Sequence, residues 1–103
     1  MASSVEYLEF ILGQLAGLDD IRHRKMMGEY LIYCQGKLIG GIYDDRFLVK
    51  PTASALKMMP NARRELPYEG AKEMLLVEEC DDPEFMCALL EAMANEIPAP
   101  KKR

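Results

Sequence analysis

Apolar residues near the start of the chain recur at helical spacing. Val5, Leu8, Ile11, Leu12 and Leu15 lie three or four positions apart while Glu6, Glu9 and Gln14 fall off that stripe, which predicts an amphipathic helix from Val5 to Ala16. Ser3 and Glu6 have the spacing of a capping box at its start, and Gly17 is the expected stop. Beyond "LDD" the segment "IRHRKMMGEYLIYC" changes to a β-rich run carrying Tyr30, Ile32 and Tyr33, the first strand region. Gln35-Gly36 supplies a turn, "KLIGGIY" a second strand, Asp44-Asp45 another tight turn and "RFLVK" a third strand. These segments predict a three-stranded antiparallel meander.

Pro51 lacks the amide needed to continue the strand, and Thr52 or Ser54 can cap a short helix running to about Met59, where Pro60 stops it. "ELPYEG" and "KEMLLVEE" then read as two short strands around Gly70. Asp82 followed by Pro83 marks a helix start, because the carboxylate caps free amides and proline needs no amide partner in the first turn. Phe85, Met86, Leu89, Leu90, Met93 and Ile97 form the apolar stripe of that last helix. The expected fold is α+β, one domain of order α-β(3)-α-β(2)-α with an antiparallel sheet over residues 1–97, followed by a flexible basic tail over 98–103. Tyr30 and Ile32 alternate with Leu31 and Tyr33, and Met74 and Leu76 with Leu75 and Val77. Both sheet faces are therefore apolar in places, and three modest helices leave room for a partner or a second copy.

Composition narrows the function classes. The chain has 103 residues, half of them hydrophobic, and a formal charge of -4, so it should fold around one core and its summed field repels nucleic acid at long range. Strong autonomous DNA binding is not expected. No apolar run reaches membrane-helix length, and Glu6 and Glu9 interrupt the start where a signal peptide would be basic and then apolar; a cytoplasmic location is expected. Cys34, Cys80 and Cys87 are odd in number without a C-x-x-C pair, so they read as reduced thiols, with Cys34 and Cys87 as small core residues. Their spacing with His23, the only histidine, matches no compact zinc knuckle.

The glycines of "YCQGKLIGGIYDDRFLVK" invite a phosphate-binding reading, which the spacing rejects. Leu31 stands where a Walker loop needs its first glycine and Leu38 where it needs a hydroxyl, and no G-x-G-x-x-G triplet occurs. Gly36 reads as a turn residue, while Gly40-Gly41 permit a bulge or the close approach of a helix. The paired acids Asp44-Asp45 and Asp81-Asp82 have local explanations as turn and cap, so no catalytic residue, metal site or cofactor is expected. Arg22, Arg24 and Lys25 concentrate positive charge around His23 in an acidic chain. They read as a solvated edge strand whose charges discourage sheet aggregation, or as a patch for an acidic partner.

The runs "RKMMGEYLIYCQGKLIGGIYDDRFLVKP" and "ELPYEGAKEMLLVEE" resemble the N-terminal domain of the TfoX/Sxy family of bacterial competence regulators. The resemblance spans roughly Tyr7 to Met93 and is most specific in the K-M-x-G-x-Y start, the G-K hairpin, the D-D-R-x-x-x-K strand and P-Y-E-G-A-K; many relatives have Phe where Met27 stands. It implies a secretion-chaperone-like fold and a role in transcription regulation of DNA-uptake genes together with the cyclic-AMP receptor protein. It brings no catalytic residues. Longer members carry a second helical domain with no counterpart in these 103 residues. The expected function is a non-enzymatic protein-binding domain acting as an accessory transcriptional regulator, with a dimeric chaperone-like or scaffold module as the alternative.

Overall fold

The computed structural model describes residues 4–26 and 28–97. Helix α1 spans Val5–Gln14, with Ser4 as its N-cap accepting the Tyr7 amide. Ser3, expected as the cap, lies outside the described residues, as do Met27 and the tail 98–103. The helix ends before Ala16, with Leu15 at its C-cap. Strands β1 (Ile21–Met26), β2 (Glu29–Cys34), β3 (Lys37–Ile42) and β4 (Phe47–Val49) follow, then α2 (Ala53–Met58), β5 (Arg64–Glu65), β6 (Met74–Leu76) and α3 (Pro83–Glu96).

The α+β class and the antiparallel sheet are as expected, but the sheet gains a strand. Gly28 holds φ at 85° and lets "IRHRKM" turn back onto "EYLIYC", so the first strand region is a hairpin of two strands, β1 and β2. The order is α-β(4)-α-β(2)-α, and the six strands lie β1-β2-β3-β4-β6-β5. The hairpin turns fall at Gln35-Gly36 and Asp44-Asp45, with φ of 55° and 76° at the first and 55° and 57° at the second. Two successive left-handed residues match the twist of the flanking strands. "ELPYEG" contributes only Arg64–Glu65, because Pro67 has no amide to donate and Gly70 turns the chain at φ 87°.

One cluster of buried residues joins all three helices to one face of the sheet. Leu8, Ile11 and Leu15 of the α1 region, Ala55 and Met59 around α2, and Met86, Leu89, Leu90 and Met93 of α3 meet Tyr30, Ile32, Ile42, Phe47, Val49 and Leu75. Cross-strand pairing carries those sheet residues in rows: Tyr30–Ile42–Phe47 and Ile32–Gly40–Val49–Leu75. A register shift between Ile32 and Tyr33 leaves Ile39 as the extra residue, and it too is fully buried in the cluster. The close approach at Gly40 comes from a strand rather than a helix. A Cβ there would lie 2.1 Å from the Leu48 carbonyl oxygen and 2.7 Å from Val49 Cα.

Candidate functional site

The three basic residues singled out in the sequence lie on one strand but not on one face. β1 is the terminal strand of the sheet and all its residues after Ile21 are exposed. Register with β2 sets Arg22 opposite Tyr33 and Arg24 opposite Leu31, whereas His23 faces Ile32 and Lys25 faces Tyr30. Side chains alternate across a strand, so His23 and Lys25 stand on the helix-covered side beyond the reach of the helices. Arg22 and Arg24 border the opposite side. Arg22 makes an exposed ion pair with Asp20 at 3.5 Å, a geometry worth little in water, and the His23 ring meets Tyr30 edge-on at 6.4 Å.

Among the described residues no helix lies on the opposite side of the sheet, since the three helices join the buried cluster on the other face. Its central row runs Arg24–Leu31–Gly41–Leu48–Leu76, with Tyr33–Leu38 and Met74 both lying along the same side of that row. Leu31, Tyr33, Leu38, Met74 and Leu76 are half-buried. Leu48 and Tyr43 are buried yet stand apart from the main core. Tyr43 lays its ring over Gly41, where a Cβ would come within 2.9 Å of the ring, and meets Tyr68 at a centroid distance of 6.4 Å. Tyr68 is 63% exposed and Leu66 46%. This is an aromatic and aliphatic surface of the kind that partners cover.

Arg46 fixes one border of that surface. Its guanidinium donates to the Tyr43 carbonyl at 3.1 Å and the Leu66 carbonyl at 3.3 Å, and pairs with the Glu65 carboxylate. The D-D-R stretch therefore meets Glu65 and Leu66, which directly precede P-Y-E-G and lie nineteen and twenty residues beyond Arg46 in sequence. The TfoX N-terminal domain model matches residues 13–92, which include both stretches. The chain belongs to that family. It is also 33% identical over 105 residues to an uncharacterized 12.7 kDa protein in the trpE 5' region of Spirochaeta aurantia, an alignment covering 100% of this chain and 90% of the relative. No solved structure matches.

Elsewhere in this TfoX N-terminal domain two of the three thiols are buried. Burial pushes the Cys80 thiol up to about 11; it donates to the Val77 carbonyl at 3.1 Å and lies 3.9 Å from the Tyr7 hydroxyl. Burial likewise raises the Cys34 thiol, with Asp20 and Glu91 adding to the effect. Cys34 and Cys80 are the buried pair, while Cys87, expected in the core, is half-buried because it sits where α1 ends, donating to the Gln14 carbonyl. Two hollows of about 170 and 190 Å³ open on the surface. The first is walled by Met58 to Ala62 with Leu76, Glu78 and Glu79, the second by Gly17 to Asp20 with Cys34, Gln35 and Glu91. Carboxylates line both, and the cations beside them form exposed ion pairs, Arg63 with Glu78 at 3.9 Å and Arg22 with Asp20 at 3.5 Å. Among the described residues no group of three or more His, Cys, Asp and Glu is placed to hold a metal ion, and no helix is long and apolar enough to cross a membrane.

The sequence pointed to Arg22, Arg24 and Lys25 but not to Tyr43, Arg46 or Tyr68. The available signal was the two-sided apolar alternation of "EYLIY" and "MLLV". It marked a sheet with an extra apolar face without saying which residues complete it.

Proposed function

We propose that this TfoX N-terminal domain is a non-enzymatic protein-binding domain, an accessory transcriptional regulator that works in the cytoplasm by receiving a partner protein on the helix-free sheet face. The observation that carries this reading is that face, where Leu31, Tyr33, Leu38, Met74 and Leu76 lie half-buried beside the exposed Tyr68 and Leu66. Covering them releases apolar surface from water at about 25 cal/mol per Å². The net charge of -4 favours protein over duplex DNA as the partner. Family resemblance names the cyclic-AMP receptor protein as the candidate.

The test is a mobility-shift titration of a receptor–promoter complex, with cyclic AMP, using the wild-type chain and the double variant Leu31→Asp/Leu76→Asp. A slower complex with the wild type and none with the folded variant is the expected result. Equal behaviour of the two, or no slower complex with either, overturns the assignment. The same face would also suit a second copy, the scaffold reading. Light scattering across the micromolar range separates the two, since a dimer abolished by the same substitutions favours self-association.

A further inference from the structure

We propose that the open edge of β1 captures an extended acidic segment of the partner protein by strand addition, extending the sheet to a seventh strand. This deepens the protein-binding reading and rests on it. Two independent observations converge on the edge.

The first is the backbone. The Gln35 amide donates to the Asp20 carbonyl at 2.9 Å, which sets the phase of the β1–β2 ladder. In an antiparallel pair the bonded residues alternate, so with Arg22 opposite Tyr33 and Arg24 opposite Leu31 these residues turn their amides and carbonyls toward β2. Ile21, His23 and Lys25 turn theirs outward. Among the described residues no strand lies beyond β1. At the other end of the sheet β5 has two residues, against six in β1, so β1 is the long free edge on which an added strand gains main-chain hydrogen bonds.

The second is charge. Arg22, Arg24 and Lys25 stand exposed along this edge in a chain of net charge -4. Arg24 and Lys25 make no ion pair among the described residues. A second β1 would bring these cations against their own copies, and like charges set opposite one another destabilise a pair. A strand with carboxylates at alternate positions meets Arg22 and Arg24 on the helix-free face. Duplex DNA also presents negative charge, but phosphates cannot complete the ladder that the outward amides and carbonyls offer.

The test uses the intact chain and two labelled peptides, one alternating Glu with Val and one alternating Lys with Val. Fluorescence anisotropy should show binding of the acidic peptide alone, weakened about tenfold by Arg24→Glu/Lys25→Glu, as one lost charge-assisted hydrogen bond would give. His23→Pro removes an outward amide without removing a β2 ladder bond, and should weaken binding similarly. Hydrogen exchange followed by NMR supplies a readout that does not depend on either variant folding. On adding the acidic peptide to the wild type, exchange should slow at the His23 and Lys25 amides, with the Arg22 and Arg24 amides protected before and after. Equal binding of the basic peptide, unchanged exchange at His23 and Lys25, tighter binding of duplex DNA, or a dimer joined through β1 would each overturn the proposal. If the charge-reversed variant still joins the receptor–promoter complex while Leu31→Asp/Leu76→Asp does not, the edge proposal falls and the protein-binding reading stands.

Discussion

A methyl group at Gly40 would have to displace the β4 backbone, because the atom in its way is the Leu48 carbonyl oxygen rather than a movable side chain. Gly40→Ala should therefore cost about 3 kcal/mol, at the upper end of overpacking losses, measured as a lower urea midpoint with an unchanged slope. Gly36→Ala has open space around it, so only its left-handed φ resists the change. The thiols give a residue-scale prediction in pH. Burial lifts Cys80 from 9.0 to about 11 and also raises Tyr7 and Tyr43. For such groups the native state holds its proton longer than the unfolded chain does. Their contribution is complete below about pH 9 and is lost as pH rises toward 11 and beyond. The melting temperature should fall from pH 9 upward, and Cys80→Ala should flatten the first part of that fall. A thiol-reactive dye at pH 8 should label Cys87 well before Cys34 or Cys80, and fast labelling of Cys80 would contradict its burial.

At the scale of elements, the β3–β4 hairpin does more than reverse the chain. Its tip reaches back to α1, where the Asp45 carboxylate accepts the Ser4 amide at 2.8 Å and the Ser4 hydroxyl at 3.4 Å. A negative charge there also favours the positive end of the helix. Asp45→Ala should cost about 2 kcal/mol, from the lost hydrogen bonds together with a left-handed backbone at φ 57° that alanine tolerates poorly. Asp45→Gly relieves the second cost and should lose only about 1 kcal/mol. Equal losses in the two variants would show that the carboxylate, not the left-handed turn, carries the stability. The far end of the molecule has a matching tie. The Glu96 carboxylate of α3 accepts the Ser54 amide at 2.9 Å in the first turn of α2, and that bond lowers its pKa. Both turns, the Thr52 cap and the Asp82-Pro83 start follow local chemistry, which is why each was legible from a few adjacent residues. The split of "IRHRKMMGEYLIYC" into two strands was not. An alternating run gives no sign of folding onto itself until Gly28 is placed at positive φ.

At the scale of the molecule, the described residues place helices on one side of the sheet and none on the other, and the net charge is -4. Duplex DNA alone should bind weakly at physiological salt, and a tight complex with a steep salt dependence would overturn that expectation. The local pattern dictated the α+β class, the three helices with their buried stripes, the hairpin turns and the concentration of positive charge at Arg22, Arg24 and Lys25. These follow from spacing, capping and turn chemistry, which act over a few residues. It did not dictate which sheet face the helices take, because Tyr30 and Ile32 are as apolar as Leu31 and Tyr33. Long-range packing made that choice: buried residues of all three helices join one cluster with the Ile32–Gly40–Val49–Leu75 row, and Leu31 and Leu76 stay half-buried on the other face. The same packing inserts β6 between β4 and β5 and brings Tyr68 and Arg46 to one border of the open face. Such contacts depend on closing loops over tens of residues, and a period-two pattern carries no record of them.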